Sequence, residues 1–105
     1  IACGVSPEDI AFAVNELKKM HGGIIVVENG QVLAELPLEI AGIISGKPLR
    51  EVNALLEDAK KAAHALGVGT DIDPFMTLSF MSLPVIPTLR LTTRGVVGVN
   101  TQQYV

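Results

Sequence analysis

Residues 24–35, IIVVENGQVLAE, contain the clearest secondary-structure signal of this chain. Asn29 and Gly30 separate two strand-like runs, and an Asn-Gly pair supplies the two positive φ angles that a type I′ hairpin turn requires. The first run is apolar throughout, which suits a strand buried on both faces, whereas the mixed second run suits a position nearer an edge. The sequence therefore predicts a β-hairpin at the centre of a small sheet.

Two amphipathic helices are predicted on either side of this hairpin. Ser6 and Pro7 form a helix start, because the hydroxyl accepts from a free backbone N–H and proline fits the first turn. Apolar residues then recur at helical spacing over about 7–21, before Gly22-Gly23, and again over about 48–66, before Gly67. The predicted fold class is α/β of the α+β type, with a small mixed sheet packed by two main helices in one domain, 1–105.

The remaining elements are shorter. Residues 1–5 are predicted as a short strand and residues 38–44 as a short helix. Residues 75–81, which follow Asp73-Pro74, fit either a helical turn or a strand, because periodicity cannot decide so short an apolar run. Strands are expected over 89–92 and from 96 onward, with a turn at 93–95 and extended or irregular backbone over 83–88.

Composition limits the classes of function. Hydrophobic residues make up 49% and charged residues 18%, against an average of about 25% charged. Such an apolar domain is expected to pack on a partner domain or a second subunit. A net charge of −3 without a basic cluster argues against nucleic-acid binding, and no run is long enough to span a membrane. The single Cys3, predicted to pack as a small hydrophobe, fits a reducing, cytoplasmic setting.

This chain has few histidines and cysteines, which are residue types that commonly bind a catalytic metal ion. His21 and His64 lie far apart and do not form a His-x-His pair, and one cysteine cannot complete a Pro-Cys-x-x-Cys zinc motif. His21 is better explained as a helix C-terminal residue, His64 as a surface or packing residue, and Asp71 and Asp73 as turn and cap residues. We therefore expect no catalytic residue and no metal ligand in this chain.

Two long segments carry a family resemblance. Residues 7–45, with the motif Ala34-Glu-Leu-Pro-Leu38, and residues 73–95, with the motif Leu78-Ser-Phe-Met-Ser-Leu-Pro-Val-Ile-Pro87, resemble the C-terminal domain of adenine deaminases, in the amidohydrolase superfamily. The resemblance implies a parent enzyme that hydrolyses adenine to hypoxanthine and ammonia in purine salvage. It also implies a divalent metal, manganese or iron, in a TIM-type barrel whose ligands precede this chain. The isoleucine at position 1 suggests a fragment that lacks that barrel.

The candidate functional residues lie in the apolar run after Asp73. This run is predicted to contact the catalytic barrel or a second subunit of a homo-oligomer, or to form a wall of the adenine site, through Phe75, Thr77, Ser79, Phe80, Ser82 and Pro84. Two alternatives remain open from sequence. In the first, the chain is a stand-alone small-molecule-binding or oligomerisation module. In the second, it belongs to a deaminase-like amidohydrolase with another substrate.

Overall fold

A computed structural model describes residues 1–105, which divide into two compact units, Ala2–Ile72 and Asp73–Val105 with Ile1. The N-terminal unit contains α1 (Pro7–Lys19), β1 (Gly23–Glu28), β2 (Gln31–Pro37) and α2 (Leu49–Ala65). The C-terminal unit contains α3 (Pro74–Phe80), β3 (Leu89–Thr92), β4 (Gly95–Gly98) and β5 (Gln103–Tyr104). The α+β class and both main helices are confirmed, with helix ends within two residues of those predicted.

The hairpin forms as predicted. The strands β1 and β2 are antiparallel, with Val26 opposite Ala34. Asn29 and Gly30 have φ angles of 51° and 71°, the two positive values of a type I′ turn. A carboxylate from α1 holds this turn, because Asp9 accepts from the amides of Asn29 (3.0 Å) and Gly30 (2.8 Å).

The ends of α1 follow the local signals in the sequence. The Ser6 hydroxyl accepts from the amide of Asp9 at 3.2 Å, which satisfies one free N–H of the first turn. At the other end, His21 and Gly22 have positive φ angles, and the amide of Gly22 donates to the carbonyl of Leu17. Left-handed backbone at this point stops the helix and leads into β1.

The core of the N-terminal unit is small. Both helices pack on the hairpin, and the buried apolar residues are Ala13, Val26, Leu36, Ala59 and Ala63. Ala59 is completely buried and Leu36 is 2% exposed. Three of these five side chains are alanines, which let the helix backbones approach the sheet closely.

Three local predictions are wrong. Residues 1–5 form no strand, and Cys3 is exposed rather than packed. Residues 38–44 form turns closed by an antiparallel bridge between Ile40 and Ile44, not a helix. A helix cannot form here because Ala41 and Gly42 take φ angles of 56° and 77°, outside the right-handed helical region.

The predicted single mixed sheet is also wrong in its topology. The strands form two separate antiparallel sheets, one of β1 and β2 and one in the order β3-β4-β5. In the C-terminal unit, a turn at Thr93-Arg94 joins β3 to β4, and the Thr92 hydroxyl donates to the carbonyl of Gly95 at 2.8 Å. Each pairing joins strands that are adjacent in sequence, and hydrophobic periodicity does not specify whether such hairpins join into one sheet.

Candidate interaction surface

Helix α3 begins at a well-formed cap. Asp73 accepts from the amides of Phe75 (3.1 Å) and Met76 (3.0 Å), and Pro74 occupies the first turn. Both features favour a helix, which explains why a helix rather than a strand forms after Asp73. Pro74 is buried and Phe75 is half-buried.

The apolar side chains that follow are exposed. We use the term apolar segment 75–86 for the residues from Phe75 to Ile86. Five of its large side chains are exposed by 40% to 77%, and they are Met76, Phe80, Met81, Leu83 and Val85. A seven-residue helix is too short to bury one continuous stripe. The segment therefore presents a row of apolar side chains to solvent.

The three hydroxyl residues of this segment bond within it. Thr77 donates to the carbonyl of Asp73 at 2.7 Å, Ser79 to that of Met76 at 2.7 Å and Ser82 to that of Ser79 at 2.9 Å. Each hydroxyl has one proton, which is engaged, and two lone pairs that remain accessible. All three side chains are exposed.

Pro84 lies at the edge of the exposed apolar region. It lines two open clefts of about 340 and 620 Å³, and its carbonyl accepts from the Gln102 amide at 3.3 Å. The smaller cleft also includes Arg94 and Tyr104, and the larger one includes Ser82. The structure therefore places two predicted residues, Ser82 and Pro84, around the same cleft.

Two arginines, Arg90 and Arg94, border this region and were not among the residues predicted from sequence. The guanidinium of Arg90 donates to the carbonyls of Leu89 (2.6 Å) and Pro87 (2.7 Å), and its Nε is buried without a partner. Neither Arg90 nor Arg94 forms an ion pair, and Asp73 is the one acidic side chain of the unit. The sequence could have indicated these unpaired charges, because residues 74–105 contain no aspartate or glutamate.

The accessible surface is large for the size of the chain. It amounts to 7311 Å², whereas a folded protein of 11.1 kDa exposes roughly 5,700 Å² and two separately folded units of these sizes roughly 6,700 Å². The excess exists even when the units are counted separately.

The candidate metal ligands do not converge. No three of the His, Cys, Asp and Glu side chains lie close enough to hold a metal ion. His64 Nδ1 lies 3.1 Å from the carbonyl of Val68, and His21 occupies the left-handed position at the end of α1. The residues of this chain do not fit a divalent metal centre, so we derive no catalytic step through one.

Comparison with known proteins identifies the family. The family model described as the adenine deaminase C-terminal domain matches residues 1–103. The chain is 52% identical over 101 residues to adenine deaminase 2 of Carboxydothermus hydrogenoformans and 43% identical over 105 residues to the adenine deaminase of Geobacillus kaustophilus. These matches cover 96% and 100% of this chain but 18% of each relative's length.

A third relative gives the same result. The adenine deaminase of Nitratidesulfovibrio vulgaris is 46% identical over 105 residues, which cover 99% of this chain and 18% of that protein. No solved structure matches the chain. The chain belongs to the adenine deaminase C-terminal domain family.

Proposed function

We propose that this chain is the non-catalytic C-terminal domain of a metal-dependent adenine deaminase, a cytoplasmic enzyme of purine salvage that releases hypoxanthine and ammonia from adenine and water. Its family and the names of its relatives support the reaction. In this proposal the metal, manganese or iron, is held by the rest of the enzyme.

In this proposal the domain packs on the catalytic part of the enzyme, or on a second subunit, through the apolar segment 75–86. The observation that carries the proposal is the exposure of five of its large apolar side chains. Together they expose about 450 Å², and burying that area would contribute about 11 kcal/mol before the costs of association. Arg94 is exposed and forms no ion pair, which suits it to such a contact, because arginine is enriched at protein interfaces.

The test compares one substitution in two proteins. Val85 is 77% exposed, so Val85→Asp should change the stability of the 105-residue chain by less than about 0.5 kcal/mol. In the full-length enzyme the same change would bury a carboxylate in an apolar contact and should cost about 3 kcal/mol. Thermal unfolding of both proteins measures the difference.

Val105→Asp is the matched control, because Val105 lies in the same unit and is 85% exposed but is outside the segment. It should change the melting temperature little in either protein. Equal, small effects of Val85→Asp in the chain and in the full-length enzyme would contradict the proposed contact.

A further inference from the structure

A second exposed apolar region lies in the N-terminal unit. We call residues 38–46, between β2 and α2, the isoleucine loop. Its apolar side chains are Ile40, Ile43 and Ile44, which are 50%, 73% and 54% exposed, and Leu49 at the start of α2 is 84% exposed. These four side chains together expose about 450 Å², close to the apolar content of a standard interface of about 800 Å² per partner.

The loop has a fixed conformation despite this exposure. Ile40 and Ile44 exchange two backbone hydrogen bonds (2.9 and 3.0 Å), and the Leu38 amide donates to the carbonyl of Gly22 at 3.1 Å. The Glu39 carboxylate accepts from the amide of Gly46 at 2.9 Å. These bonds close the loop at both ends.

A close backbone contact holds the middle of the loop. A Cβ atom on Gly22 would lie 2.6 Å from the Cα atom of Gly42, so the two backbones touch and any side chain at position 22 would displace the loop. A loop held in this way loses little conformational entropy when it docks, which makes its exposed isoleucines effective contact residues.

One cation beside the loop lacks an acidic partner. Arg50 forms no ion pair, whereas Lys47 pairs with Glu51 at 3.6 Å. Hydrogen bonds from its own amide and from that of Gly46 hold the pKa of the Glu39 carboxyl below its usual range. The nearby carboxylates are therefore engaged within the chain, and Arg50 is left for a carboxylate supplied from outside.

We propose that the isoleucine loop is a second docking contact, occupied by the remaining part of the same adenine deaminase, which presents an apolar surface with a carboxylate at its rim. This inference rests on the proposed function. The relatives support this occupant, since the chain spans 18% of their length and most of their mass lies outside it.

A second copy of the chain fits the loop less well. A two-fold contact places the same patch on both subunits. Arg50 of one copy would then meet a patch whose carboxylates, Glu39 and Glu51, are already engaged. The positive charge of Arg50 therefore favours a partner surface other than a second copy of this loop.

The test measures thiol accessibility at two positions. Ile43→Cys and Val85→Cys are made separately with Cys3→Ser, because Cys3 is exposed and would react. Each variant is treated with a maleimide as the 105-residue chain and as the full-length enzyme, and labelling at each site is followed by peptide mass spectrometry. We expect labelling of the Ile43→Cys thiol to be at least about tenfold slower in the full-length enzyme.

The other outcomes separate the two proposals. Slower labelling at Val85→Cys but not at Ile43→Cys would overturn this inference and leave the proposed function standing, and no protection at either position would overturn both. Protection of Ile43→Cys in the 105-residue chain that grows with its concentration would identify a second copy as the occupant and also overturn the inference.

A separate measurement tests the proposed contact between Arg50 and a carboxylate of the partner surface. Arg50→Gln should lower the melting temperature of the full-length enzyme more than that of the 105-residue chain, because the partner carboxylate would lose its cation. An equal change in both proteins would contradict a carboxylate at the rim.

Discussion

The Asp9 carboxylate joins α1 to the hairpin turn, and its removal tests how far this contact stabilises the N-terminal unit. Asp9 accepts from two turn amides, at 3.0 and 2.8 Å, and lies in the first turn of its helix. Asp9→Ala removes both hydrogen bonds and the favourable charge at the helix N-terminus. We expect the free energy of unfolding to fall by about 2 kcal/mol.

The magnitude follows from two contributions. Hydrogen bonds to a charged group contribute about 1.5–3 kcal/mol each, and because this contact is exposed to water we assign the pair about 1.5 kcal/mol in total. The helix-dipole interaction of an exposed carboxylate adds about 0.5 kcal/mol. Asp9→Asn keeps one acceptor oxygen and should lose about half of the total.

Glu8→Ala is the matched control, because Glu8 lies in the same turn and accepts only from the Ser6 hydroxyl. Urea or thermal unfolding of the three variants is the assay, and Asp9→Ala should melt roughly 6–12 °C below Glu8→Ala. Amide exchange at Asn29 and Gly30 should accelerate in Asp9→Ala alone. If Asp9→Ala and Glu8→Ala were equally stable, the contact with the turn would contribute nothing.

Three further predictions concern the core, the hydroxyl residues and the loop. Ala59→Leu should destabilise the chain by about 1–3 kcal/mol in urea unfolding, because Ala59 is fully buried, whereas Ala54→Leu on the exposed side of α2 should have little effect. Ser79→Ala and Ser82→Ala should leave kcat/KM of the full-length enzyme within about twofold, because both hydroxyl protons bond inside the segment; a large loss would support an active-site wall instead. Because the pKa of Glu39 is lowered in the folded chain, its bond to Gly46 stabilises the loop at neutral pH and is lost as the pH falls through that lowered value. The Gly46 amide shift followed by NMR should therefore titrate below the ordinary glutamate range, and a midpoint at or above that range would refute the bond.

The predictable part of the fold is the part set by local chemistry. The Asn29-Gly30 turn, the Ser6 cap and the Asp73 cap each depend on residues within a few positions, and each forms as expected. Only one role of Asp9 was predictable from sequence. Its spacing from Ser6 indicated a helix start, but not a hydrogen bond to a turn 20 residues away.

The isoleucine loop shows why the rest was not predictable. Its apolar spacing resembles a short helix, but contact with Gly22 and left-handed backbone at Ala41 and Gly42 override that preference. Hydrophobic composition alone was enough to single out the apolar segment 75–86. Composition could not show that Ile40, Ile43 and Ile44 also remain exposed. In the predicted helix these residues would have packed against the core.

We propose above that the chain is a non-catalytic domain of an adenine deaminase. Hypoxanthine formation from adenine, assayed with Mn²⁺ for the full-length protein and for the 105-residue chain side by side, tests it most directly. We expect turnover by the full-length protein and none by the chain alone. Turnover by the isolated chain, or a metal-loaded full-length protein that leaves adenine unchanged, would contradict it.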